Sequence, residues 1–259
     1  MLDNKSAIVT GSTSGIGLGI ARAFAAQGAD VLLNGFGHAD EIESTRAEMQ
    51  REFGVKVAYS GADMNQPAQI RAMAEAARAA FGKIDIVVNN AGIQHVSPVE
   101  EFPDDKWDAV LAINLSSAFH LIKAVVPGMK LQRSGRIINI ASAHGLTASP
   151  FKAAYVSAKH GLIGLSKTVA IELAEFGITC NTICPGYVKT PLVDKQIADQ
   201  AKAHNISAQD VVRDVMLVHQ ARKEFSVGSS RRPSGWRWRS WTRLRRMRGT
   251  PRAQRAPRP

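Results

Sequence analysis

Cysteine is nearly absent from this chain: Cys180 and Cys184 are the only two in 259 residues. A disulfide-stapled scaffold is therefore excluded, and a reducing, cytoplasmic setting is expected. No His or acidic cluster accompanies the pair, so we expect buried thiols and no metal site. No uninterrupted apolar run reaches the roughly 18 residues that a membrane span needs. The start, Met1-Leu2-Asp3-Asn4-Lys5, lacks a basic flank followed by an apolar stretch, so no signal peptide is expected. These absences together predict a soluble protein with no membrane partner.

Acid is missing from one region only. The formal charge is +11, yet 11 of the 33 basic residues and none of the 22 acidic ones lie beyond residue 225. The first 225 residues are balanced, and the whole imbalance sits in the last 34. That segment also holds Trp236, Trp238 and Trp241, with Val227, Leu244 and Met247 as its only aliphatic residues larger than alanine. Too little apolar surface is available there to offset the entropy of ordering, so 226–259 reads as a disordered basic tail. A nucleic-acid function through its arginines and tryptophans is the remote alternative, because nothing in it patterns as a known module. Nucleic acid is not expected as a partner.

What is present, over residues 1–225, is an alternation of short β-branched runs with longer amphipathic stretches. Strands are expected at 6–10, 30–34, 56–60, 84–89, 135–141 and 178–184. Helices are expected at 16–27, 39–53, 66–81, 104–131, 153–176, 191–203 and 207–220. Strands apolar on both faces between helices predict a single-domain α/β fold, a doubly wound Rossmann-like parallel sheet.

After the first strand, Gly11-Ser12-Thr13-Ser14-Gly15-Ile16-Gly17 opens a helix. A dinucleotide pyrophosphate needs this turn: glycines for close backbone approach and free helix N–H groups aimed at the anion. The hydroxyls of Ser12, Thr13 and Ser14 are further candidates for phosphate or ribose oxygens. The second strand runs into Asn34-Gly35-Phe36-Gly37-His38, with no Arg or Lys to accept a 2′-phosphate, which favours NAD over NADP. Phe36 is a candidate for stacking on adenine. Tyr155 and Lys159 stand four apart near a helix start, on one face, where an ammonium favours the phenolate of a general base. Ser142 closes the fifth strand, at the sheet edge where ligands bind, and Asn89-Asn90-Ala91-Gly92 ends the fourth. Asn114 is a polar interruption inside a long apolar helix.

Together, Thr10-Gly11-x-x-x-Gly15-x-Gly17, Asn89-Asn90-Ala91-Gly92, Asn114, Ser142, Tyr155-x-x-x-Lys159 and Pro185-Gly186 resemble the short-chain dehydrogenase/reductase family, six motifs in order over residues 1 to about 225. The resemblance implies that Tyr155 is the general acid/base and that Ser142 holds the reacting oxygen. It further implies that Lys159 lowers the tyrosine pKa and binds the nicotinamide ribose, and that Asn114 positions a relay water. Gly11, Thr13, Gly15, Ile16, Gly17, Phe36, Asp63, Asn90, Gly92, Val188 and Thr190 would contact NAD, with Asp63 reading adenine and Thr190 meeting the carboxamide. Asn34 to Gly37, Ala91 to His95 and Ala141 to Leu146 resemble the branch that oxidises (R)-3-hydroxybutyrate to acetoacetate. That likeness implies Gln94, His144, Lys152 and Gln196 as holders of the substrate carboxylate. Another reductase of the family, acting on 3-oxoacyl-carrier proteins or sugar alcohols, is the alternative.

The resemblance stops after Phe225. The family continues with a helix, a crossover and a last strand that builds the homotetramer. Here an Arg/Trp/Pro-rich run follows, the composition that a shifted reading frame in GC-rich DNA produces. We therefore expect the last strand to be missing, the sixth strand's edge to lie open, the tetramer to be weakened and activity to be impaired.

Overall fold

The computed structural model describes residues 1–216 and 226–227. Its centre is a six-stranded parallel sheet in the order β3-β2-β1-β4-β5-β6, formed by β1 (Ser6–Val9), β2 (Asp30–Asn34), β3 (Val57–Ser60), β4 (Ile86–Asn89), β5 (Gly135–Ile140) and β6 (Ile178–Ile183). The sequences SAIV of β1 and IVVN of β4 are buried throughout, which requires helices on both faces of the sheet. On one face, Ala7, Val9, Val31, Leu33 and Val88 pack against α1 (Gly15–Ala25) and α2 (Ala39–Phe53). On the other, Ile8, Leu32, Val87 and Ile137 pack with residues of α3 (Pro67–Phe81), α5 (Ser117–Gln132) and α6 (Ala153–Leu173). The chain winds from β1 to β3 in one direction and from β4 to β6 in the other. A crevice therefore opens beyond the carboxyl ends of β1 and β4, where the order reverses.

The helix expected over 104–131 is broken into three. α4 (Asp104–Leu111) passes into a wide π turn at Ala112–Ser116 before α5 begins. That turn swings Asn114 inward, where it is 2% exposed; such bulges inside helices are frequent at functional sites. The run Asp104–Gln132 is long and apolar enough, by length and composition, to cross a bilayer, which counting uninterrupted apolar residues missed. Its apolar side is committed elsewhere: Leu121, Ile122, Val125 and Met129 lie in the core under the sheet.

Beyond β6, β7 (Val188–Lys189), α7 (Pro191–His204) and α8 (Ala208–Asp210) follow, with a π turn over Val211–Met216. The helix expected to 220 is thus replaced by a short helix and a wide turn, and 217–220 fall outside the described residues. β8 (Ser226–Val227) pairs in parallel with β7. Among the described residues no strand pairs with the outer edge of β6, where Ile183 is half exposed. The rest of the expected tail, 228–259, lies outside the described residues.

Candidate active site

The turn after β1 is built by backbone crowding. Gly11 and Gly15 have φ of +60° and +55°, the left-handed region that side chains rarely enter. A Cβ on Gly17 would overlap the Gly11 carbonyl oxygen and lie 2.5 Å from Asn90 Nδ2. Asn90 closes the turn from β4: its Nδ2 donates to the Thr10 and Gly11 carbonyls, both at 2.9 Å. The Thr10 hydroxyl accepts from the Asn90 and Ala91 N–H groups at 3.0 Å.

Of the three hydroxyls expected to face a ligand, one turns inward and a second, on the cavity lining, is engaged with the backbone. Ser12 is fully buried; its Oγ donates to the Val9 carbonyl at 2.7 Å and accepts from Asn34 N–H at 3.0 Å. Thr13 Oγ1 donates to the Phe36 carbonyl at 2.9 Å. They fasten the turn to the end of β2, because a tight turn with buried N–H groups needs its own partners. Ser14 stands at the N-cap of α1, where its side chain makes no capping bond. The first N–H groups of α1 are left for a ligand, the arrangement that holds an anion at a helix N-terminus.

Asn34 was not singled out by sequence reasoning. It is buried, with Nδ2 donating to the Ser60 and Ala62 carbonyls at 3.1 and 2.9 Å and Oδ1 accepting from Gly11 N–H at 3.3 Å. One amide thus ties β3, β2 and the glycine turn together.

The crevice is a cavity of about 910 Å³. Gly11, Thr13, Gly15, Ile16, Phe36, Asp63, Asn90 and Gly92 line it, as do Val188 and Thr190. Phe36 stands at the lip, 67% exposed, and Asp63 Oδ1 accepts from Asn65 N–H at 2.8 Å. Gly17 alone of the expected contacts does not line the cavity; close packing under the turn accounts for it. A long slot with a glycine cradle and a helix N-terminus midway fits an extended dinucleotide.

At the far end of the same cavity stand Ser142, His144, Tyr155 and Lys159, together with Gln94 and Gln196. Asn114 lies just behind: its Oδ1 accepts from Ile93 N–H and its Nδ2 donates to the Ile93 carbonyl, both at 2.8 Å. Lys159 is buried, donates to the Ile140 carbonyl at 2.8 Å and lies 5.5 Å over the Tyr155 ring. Burial holds its pKa down to about 8. The phenol of Tyr155 is moved upward by burial, opposed by its hydrogen bond with Ser142. The resemblance implies that Lys159 lowers the tyrosine pKa; in the protein without ligand, desolvation of the phenolate prevails.

Lys152, implied by the resemblance as a carboxylate holder, lies behind His144 and Tyr187 and is not among the residues that line the cavity. Its side chain is 1% exposed, and burial lowers its pKa to about 8. Among the described residues it has no ion pair; its Nζ donates to Tyr187 Oη at 3.0 Å. Beside it His144 is driven down to about 4, by burial and then by the Lys152 charge, and is therefore neutral at pH 7. The Nε2 of Gln94 is buried without a hydrogen-bond partner, and Gln196 is 6% exposed. A buried cation without a counter-charge and an unsatisfied buried amide donor are each costly, and each is the kind of group that an anion would satisfy.

Cys180 is buried, its thiol pushed up to about 11 by burial, and it accepts a long contact from Asn139 Nδ2 at 3.6 Å. Cys184 is half-buried. Among the described residues no group of three potential metal ligands occurs.

A family model described as short chain dehydrogenase matches residues 5–201. The chain is 54% identical over 221 residues to the D-beta-hydroxybutyrate dehydrogenase of Rhizobium meliloti, covering 85% of this chain and 86% of that one. It is 52% identical over 225 residues to the D-beta-hydroxybutyrate dehydrogenase of Cupriavidus necator, covering 87% and 86%. A 3-oxoacyl-[acyl-carrier-protein] reductase of Staphylococcus epidermidis is 38% identical over 222 residues, covering 86% of each chain.

Proposed function

The chain belongs to the short-chain dehydrogenase family, oxidoreductases that act on small molecules with a nicotinamide cofactor, and from that premise we propose that it oxidises (R)-3-hydroxybutyrate to acetoacetate with NAD. The observation that carries this substrate is Lys152: a buried ammonium with no carboxylate partner among the described residues, at the N-cap of the helix that carries Tyr155 in its first turn. The names of the two relatives above 50% identity agree with it. An acyl-carrier thioester has no carboxylate, so the 3-oxoacyl reductase alternative leaves Lys152 and Gln94 Nε2 unexplained.

The cofactor would lie along the slot. Phe36 and Asp63 would border the adenine, with Thr13, Gly15 and Ile16 at the pyrophosphate. Asn90, Gly92, Lys159, Val188 and Thr190 would flank the nicotinamide half, while Gly11 and Gly17 keep the floor free of side chains. A hollow of about 200 Å³ beside Thr13, Ser14, Phe36 and Gly37 is lined by Glu41, in the first turn of α2, and by no cation. A carboxylate there repels a 2′-phosphate, which supports NAD. When bound, NAD supplies the acceptor for the hydride that leaves C3 of the substrate.

The protein's own part is to place the alcohol and to move its proton. Gln94, His144, Lys152 and Gln196 hold the carboxylate, with Lys152 giving the charge and the neutral partners giving direction. Ser142 Oγ holds the reacting oxygen, and Tyr155 Oη takes the hydroxyl proton. Lys159, over the Tyr155 ring, stabilises the phenolate once it forms. Asn114, held at both ends by Ile93, keeps a lone pair of Oδ1 for a relay water. The setting we propose is cytoplasmic, the assembly a homotetramer, with the changed tail weakening it; nucleic acid has no part in the reaction.

The test is Tyr155→Phe. Loss of a positioned acid/base lowers turnover by about 10²-fold or more, while NAD binding by fluorescence titration stays within about twofold. A folded variant that oxidises hydroxybutyrate as fast as the parent would overturn the assignment.

A further inference from the structure

We infer that Tyr187 is the positioning residue of the anion subsite: its phenol oxygen holds the Lys152 ammonium toward the substrate carboxylate without cancelling its charge. This rests on the reading that the substrate is a small carboxylic acid.

A lysine side chain has four rotatable bonds and loses much rotamer entropy when fixed. Something must define where its head lies. Lys152 leaves the chain at the N-cap of α6, and its Nζ stops 3.0 Å from Tyr187 Oη and 5.4 Å from that ring's centroid. The chemical identity of this anchor matters. A carboxylate would hold the ammonium more tightly but would neutralise it and repel an incoming anion. A phenol accepts one N–H and leaves two, with the whole charge, for the substrate. Burial pushes the Tyr187 phenol up to about 12, so it stays neutral across the working range.

Tyr187 is itself well placed to act as an anchor. It follows Pro185-Gly186 beyond β6, and its ring packs against Val193, Val211 and Met216. The edge of the same ring meets His144, with centroids 5.9 Å apart, and His144 meets Tyr155 at 6.4 Å. The anchor, the cation and the proton-transfer phenol thus belong to one packed set. Among the described residues the titratable groups shown to act on Lys152 are His144 and Tyr187, while Tyr155, Lys159 and Asp214, the last paired to Arg213, line the cavity beside them. Of these only the two lysines change charge between pH 7 and 9, and Lys159 serves acid and neutral substrates alike.

The experiment compares the full-length protein with Tyr187→Phe, which keeps the ring. KM and kcat are measured from pH 7 to 9.5 with (R)-3-hydroxybutyrate and with its uncharged methyl ester. Losing a hydrogen bond to a charged group should raise KM for the acid about tenfold. kcat should change less than about twofold, and KM for the ester should hold. Because the lost acceptor favoured the ammonium, the alkaline rise in acid KM should begin at lower pH. A KM for the acid within twofold of the parent, or an equal rise for acid and ester, would overturn the role of Tyr187. A parent that does not prefer acid to ester overturns instead the substrate reading itself, and Tyr187 with it. Should the Phe variant fail to fold, difluorotyrosine at position 187 keeps shape and bond but ionises more readily. Acid KM must then rise as that phenol ionises, and an unchanged profile refutes the proposal.

Discussion

Replacing Lys152 by methionine should make the ligand-free protein more stable and nearly useless for its substrate. The side chains are similar in length, and Lys152 is closed off from solvent. A lysine that ordinarily titrates at 10.5, held at about 8 by burial, is destabilised by about 3 kcal/mol while charged. Removing its bond to Tyr187 gives back about 1 kcal/mol. The net expectation at pH 7 is a gain of about 2 kcal/mol, or about 4–8 °C in Tm for a domain of this size. The sign also sets a pH signature. Between the folded pKa near 8 and the unfolded one of 10.5, the unfolded chain binds more protons, so the parent gains stability as pH rises through that window. Lys152→Met loses that part of the slope and keeps the part due to Lys159, which is also held near 8. Urea unfolding at pH 7, 8, 9 and 10 measures both quantities, and KM for hydroxybutyrate should rise about a hundredfold with the lost charge-assisted partner. A variant less stable than the parent, or one whose stability follows the parent's pH curve unchanged, would refute the claim that Lys152 is a buried cation held for its charge.

Three further outcomes follow from the packing. Gly17→Ala places a methyl against the Gly11 carbonyl and Asn90 Nδ2, so thermal unfolding should show a loss of about 3 kcal/mol, whereas Gly19→Ala, with nothing within 4 Å of the added carbon, should show none. Asn114→Ala strips both backbone partners from Ile93 and should cost about 2–4 kcal/mol in urea unfolding, with kcat falling as well. Glu41→Arg turns a repulsive hollow beside Phe36 into a phosphate site. Fluorescence titration should then show at least about tenfold tighter NADP binding, and unchanged NADP affinity would remove Glu41 from cofactor selection.

The strand pattern was legible in the sequence because parallel strands buried on both faces must be apolar throughout, and SAIV, DVLLN and IVVN announce that directly. The glycine turn and the Tyr155/Lys159 spacing were legible for a similar reason: each is a local pattern whose chemistry depends on neighbours within one turn. The π turn at Ala112–Ser116 was not. Its cause is Asn114 reaching the Ile93 backbone, 21 residues earlier in the chain, and no local periodicity encodes such a bond. Ser12 misled for the opposite reason: a hydroxyl beside a phosphate cradle and a hydroxyl stitching the cradle shut have the same sequence, and only the position of Asn34 separates them. Glu41 and Tyr187 escaped notice because the role proposed for each works across a loop, on groups that the fold alone brings near.

The proton-transfer pair illustrates how far spacing can be trusted. Four residues along a helix do bring Lys159 over the Tyr155 ring, yet in the protein alone the phenol moves up and the ammonium down. Both shifts have one leading cause: a buried site penalises each charged form separately. Neutral tyrosine is therefore the resting state, and the phenolate needs more positive charge than this helix face supplies. The oxidised nicotinamide ring carries such a charge. On this argument the proposed cofactor, once bound, would supply the charge that favours Tyr155 as a base, and without it the neutral phenol prevails.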